Sequence, residues 1–72
     1  MDKIKVLFAD IYRLHAAMKG ELKIISKSNE QFLLAGDEQK ANMTASDIID
    51  SARNIQAIAQ AMIDNAESYL QE

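Results

Sequence analysis

The amino-acid sequence describes an all-α chain folded into an antiparallel helical hairpin, on three grounds. Apolar residues recur with a helical period over residues 1–36 and again over 45–71. The chain has no Pro and two Gly, so nothing in the backbone forces either stretch out of a helix. Between them lies the polar stretch 36–44, GDEQKANMT, which offers a place to turn.

Length supports a single domain over 1–72, since 72 residues is one small domain at most. With 49% hydrophobic and 26% charged residues the composition is that of a folded chain. A chain this short buries only about 60% of its unfolded surface and needs reinforcement. No Cys is present, which removes disulfides and thiolate metal sites, and one His cannot build a zinc site alone. Regular helix packing and association are what remain, so no metal or cofactor is expected.

The first helix is expected over about 2–35, straight or bent. With Met1 at heptad position a, the d positions are Ile4, Ile11, Met18, Ile25 and Phe32, all apolar. The a column holds Met1, Phe8, His15, Leu22, Asn29 and Gly36, and Leu7 and Leu14 add a third column at g. Gly20 interrupts at a cost of about 1 kcal/mol against Ala. Gly36 sits where a helix-ending glycine belongs.

The second helix is expected over about 45–71. Thr44 would be its N-cap and Asp47, three residues on, its capping partner. With Ala45 at a, the a column is Ala45, Ala52, Ala59 and Ala66, and the d column Ile48, Ile55, Met62 and Tyr69. Small a residues beside large d residues predict a close-packed seam between the helices. Ile49, Ile63 and Leu70 add apolar e positions.

Residues 21–35 admit rival readings. Leu22–Ser26 and Gln31–Ala35 could form a short β-hairpin turning at Lys27–Glu30, or the helix could break near Ser26–Asn29. The strands would not alternate cleanly, because Ile24 and Ile25 are adjacent, as are Phe32, Leu33 and Leu34. The continuous helix is preferred.

The net charge is −3, which argues against nucleic-acid binding through bulk charge. Residues 1–35 carry six cations against four anions, and residues 36–72 two against seven. The halves should attract each other, or the opposite half of a second copy. No apolar run matches a secretion signal or a membrane span, so a cytoplasmic location is expected.

Chemistry is sparse. His15 has Ile11, Tyr12, Met18 and Lys19 at helical contact spacing, and none is a carboxylate that could orient the ring for catalysis. At an a position it reads as a seam residue. The acidic pairs Asp47/Asp50 and Asp64/Glu67 read as solvated surface, and no serine has a histidine near it. No phosphate-binding glycine loop exists. Tyr12 near Lys5 and Lys19 is a slender basis for RNA stacking. The chain is therefore expected not to be an enzyme.

The clearest functional signal is surplus apolar surface. Val6, Ile24, Leu33 and Leu34 fall outside the main stripe of the first helix. A helix apolar on more than one side is normally covered on more than one side. The hairpin is thus expected to complete a four-helix bundle, by dimerisation or with a partner helix. The expected function is a protein–protein interaction module, such as an adaptor, co-chaperone or inhibitor. Phe8, Ile11, Leu14, Met18, Ile25 and Phe32 are the candidate contacts. The alternative is a dimeric four-helix-bundle RNA-binding regulator.

In length, hairpin layout and net acidity the chain is similar to the small plasmid RNA-binding regulators built as dimeric four-helix bundles. The small two-helix co-chaperones of bacterial secretion systems share that layout. The likeness is one of layout, with no motif matched residue by residue, and it assigns no family.

Overall fold

The structure, a computed structural model, describes residues 2–71 and every side chain among them except that of Ala35. Met1 and Glu72, which enter the heptad and charge counts, lie outside the described residues. Two helices pack antiparallel, α1 over Asp2–Ala35 and α2 over Glu38–Gln71. The β-hairpin and broken-helix readings of residues 21–35 do not hold, because α1 is unbroken through them. A straight helix of this length spans about 51 Å, and the hairpin measures 54 × 15 × 9 Å. It is a flat slab one helix thick.

The connection is shorter than the sequence suggested. α2 starts at Glu38 rather than near 45, leaving only Gly36 and Asp37 between the helices. The capping residue is Asp37, not Thr44. Its Oδ1 accepts the Lys40 backbone N–H at 2.8 Å, and its carbonyl accepts that of Ala41 at 2.9 Å. The aspartate cap starts the helix here, and Glu38, Gln39, Lys40 and Ala41 are good helix formers that carry it on. Thr44 is instead buried between the helices, at 7% exposure.

Gly36 ends α1 without a left-handed turn, since no described glycine has a positive φ. What it supplies is space. A Cβ there would lie 2.5 Å from the Phe32 carbonyl oxygen and 2.6 Å from the Phe32 ring.

The seam is offset from the expected one. In α1 the covered d and g residues are Leu7, Ile11, Leu14, Met18, Glu21, Ile25, Ser28 and Phe32, with Asp10 half-buried beside them. In α2 they are Ala41, Thr44, Ile48, Ser51, Ile55, Ile58, Met62, Asn65 and Tyr69, with Lys40, Ala59, Ala61 and Ala66 half-buried at the edges. Both sets alternate steps of three and four, as interlocking helices require. In the heptads above they are the d and g columns, where a and d were expected.

The reason lies in size and fit. Thr44 and Ser51, at g in α2, are small enough to bury under α1, and Leu7 and Leu14 at g in α1 are large enough to reach α2. The alanine column is correspondingly displaced. Ala45 and Ala52 are exposed, and Ala59 and Ala66 are half-buried beside the seam. His15, expected in the seam, is exposed.

Candidate functional site

The offset seam leaves a second apolar surface uncovered. Seen down the long axis of the slab, α1 advances clockwise, and α2, running the other way, advances counter-clockwise. Equal heptad letters therefore emerge on the same broad side of both helices. The a and e positions share one face, and the c and f positions share the other.

On the a/e face α1 contributes Phe8, Tyr12, Leu22 and Leu33, all exposed, with Phe8 at 62% and Leu22 at 52%. α2 contributes exposed Ile49, Ile63 and Leu70 around the alanine column. Between Ala45 and Leu70 the a and e positions of α2 include no charged residue, and Gln56 is the one polar member. Lys5, His15, Lys19, Ser26 and Asn29 lie on the α1 side of the face and divide its apolar residues.

The opposite face is different in kind. Val6, Ile24, Leu34 and Met43 are exposed there, but scattered among Asp10, Arg13, Lys27, Asp47, Asp50 and Asp64. Arg13 and Asp10 pair along α1, and Gln60 Nε2 donates to Asp64 Oδ1 at 2.8 Å. An open groove of about 380 Å³ runs along this side at the end away from the turn, lined in part by Val6, Leu7, Asn65 and Tyr69. The Lys3 ammonium sits 5.9 Å from the Tyr69 ring centroid beside it, a cation–π approach.

The six candidate contacts divide. Phe8 stands exposed on the a/e face. Ile11, Leu14, Met18, Ile25 and Phe32 are half-buried in the seam, where they meet α2. Of these, Ile11, Met18, Ile25 and Phe32 occupy d and border the a/e face, and Leu14 occupies g on the far side. Leu33 belongs to the a/e face, whereas Val6, Ile24 and Leu34 belong to the other. The contribution of α2 to the apolar face went unread in the sequence. Its signal was present in the joint a and e columns, which stay apolar although neither is needed for the seam.

The seam also holds a polar layer. Asn54 Nδ2 donates to Glu21 Oε1 at 3.2 Å, while Glu21 Oε2 is buried without a hydrogen-bond partner. Ser51, at 4% exposure, and Ser28 lie in the same stretch of seam. Among the described residues no three His, Asp or Glu side chains converge as metal ligands would, and no helix is long and apolar enough to cross a membrane.

Comparison with protein-family models, with curated proteins and with solved structures finds no match. The chain exposes 5633 Å². A folded monomer of 8.0 kDa is expected to expose about 4,450 Å². The excess is what a one-layer slab leaves uncovered.

Proposed function

We propose that this chain is a non-enzymatic protein–protein interaction module, an adaptor, co-chaperone or inhibitor, that binds through the apolar a/e face. The observation that carries the reading is the α2 side of that face, where the a and e positions hold no charge from Ala45 to Leu70, flanked by exposed aromatic and aliphatic residues of α1. Exposed Phe8, Tyr12 and Leu22 on α1 lie beside exposed Ile49 and Ile63 and the alanines of α2. Scattered exposed apolar residues are ordinary, but a contiguous patch rimmed by polar groups marks a contact surface. The candidate contacts on α1 are then Phe8 and the bordering d residues Ile11, Met18, Ile25 and Phe32.

Photo-crosslinking in the source cell tests this. A photoreactive phenylalanine analogue at position 8 should give protein adducts, including adducts to the chain itself. The same analogue at position 13, on the charged face, should give few. RNA adducts from position 8, or equal yields from the two positions, would overturn the reading.

A further inference from the structure

We propose that the apolar face is covered by a second copy of this chain, with α1 of each copy lying on α2 of the other. The inference rests on the interaction-module reading and names its partner. The two-fold axis runs parallel to the helices, and the four helices alternate around a square.

Area supports a partner of this size. The surface beyond that of a folded monomer is about 1,200 Å² per chain, where a stable interface takes about 800 Å² from each partner. A single added helix lying over the seam would reach the a columns and leave the outlying e residues Tyr12, Leu33, Ile63 and Leu70 open, whereas a second slab lies over both columns.

Charge chooses the pairing. α1 carries six cations against four anions, a balance of +2. α2 carries two cations against five anions, a balance of −3. With α1 on the other copy's α2, all four neighbouring helix pairs are of unlike sign. The other face-to-face stacking, α1 on α1 and α2 on α2, makes two of the four like-signed, which is unfavourable.

Shape chooses the same pairing. The contact between Glu21 and Asn54 sets the relative height of the two helices within a hairpin. A two-fold axis parallel to the helices preserves every height. Phe8 of one copy therefore comes level with Ala66 of the other, Tyr12 with Ile63, and Leu22 with Ala52. Bulky α1 residues at a meet small α2 residues at a, so large groups fill the hollows above alanines. The rejected stacking sets alanine against alanine on one side and crowds bulky residues on the other.

The chain has no cysteine, which makes the arrangement directly testable. Purified native chain should sediment at micromolar concentration with twice its 8.0 kDa mass. Leu22→Cys chains mixed with Ala52→Cys chains and oxidised should give, as the main product, a dimer with one of each. A native mass of 8.0 kDa overturns the proposal. So does a dimer in which the 22–22 or 52–52 links dominate. If the purified chain is monomeric while position 8 crosslinks to a different protein in cells, the self-pairing fails and the interaction-module reading stands. If neither occurs, both fail.

Discussion

Gly36 and Gly20 hold the same residue type in opposite circumstances. At Gly36 any Cβ would run into the Phe32 carbonyl oxygen, a backbone atom that cannot swing aside. Gly36→Ala should therefore destabilise the hairpin and lower its thermal midpoint. At Gly20 a Cβ would meet nothing within 4 Å, so Gly20→Ala should stabilise α1 by about 1 kcal/mol through backbone entropy alone. Circular-dichroism melts of the two variants should move in opposite directions. Asp37 has a single identifiable role. Asp37→Ala removes the acceptor for the Lys40 N–H and should cost about 0.5–2 kcal/mol, whereas Asp37→Asn should retain most of that. Equal losses for the alanine and asparagine variants would mean that the cap does not contribute through its side-chain oxygen.

At the scale of the element, the discriminating question is which column of α2 faces α1. Ser51 is 4% exposed, so Ser51→Leu should overpack the seam and cost about 1–3 kcal/mol. Ala57, on an exposed position of the same helix, should accept leucine within about 0.5 kcal/mol. Urea titrations of the two variants give the comparison, and equal effects would mean that the seam does not run through Ser51. The extent of α1 was legible in the sequence because its apolar period runs unbroken to Phe32. The start of α2 was less so. Asp37 was read as part of the polar connection, because the clean apolar pattern begins only after Thr44. The seam was misplaced for a related reason. Hydrophobicity ranks Ala52 above Ser51 and Phe8 beside Leu7, while burial follows volume and angular position. A small hydroxyl residue fits under α1, and an alanine one position further round does not reach it. The candidate site suffered the same rotation. Phe8 was placed among the contacts of α1, whereas the e column of α2 was noted as apolar without being joined to a surface.

At the scale of the whole molecule, the hairpin has little interior. Leu7 is the one buried apolar side chain among the described residues, and no side chain is fully enclosed. A slab with so small a core depends on whatever covers its face, and mass action then links folding to association. The thermal midpoint should rise with chain concentration across the micromolar range. A midpoint unchanged over two decades of concentration, with helicity retained throughout, would show that the single hairpin is sufficient. The polar layer at Glu21 adds a second dependence. Glu21→Leu removes a buried, unpartnered carboxylate oxygen from an otherwise mostly apolar α1 seam and should raise stability, although Asn54 then loses its acceptor. The native glutamate is better suited to fixing which residues meet than to strengthening the pair.

The two helices are equal in length, 34 residues each, so residues 2 and 71 stand side by side at the end far from Gly36. A tensile load applied between them acts across the seam and cannot be shared along it. The layer at Lys3 and Tyr69 would part first, then that at Leu7, each heptad releasing about 10.5 Å of each helix in turn. Such a device yields by unzipping, with a low and nearly constant resistance, and closes again from the Asp37 turn when the load is removed. A force-clamp trace with handles at positions 2 and 71 should show small, reversible steps, and a single abrupt rupture at high force is the contrary result.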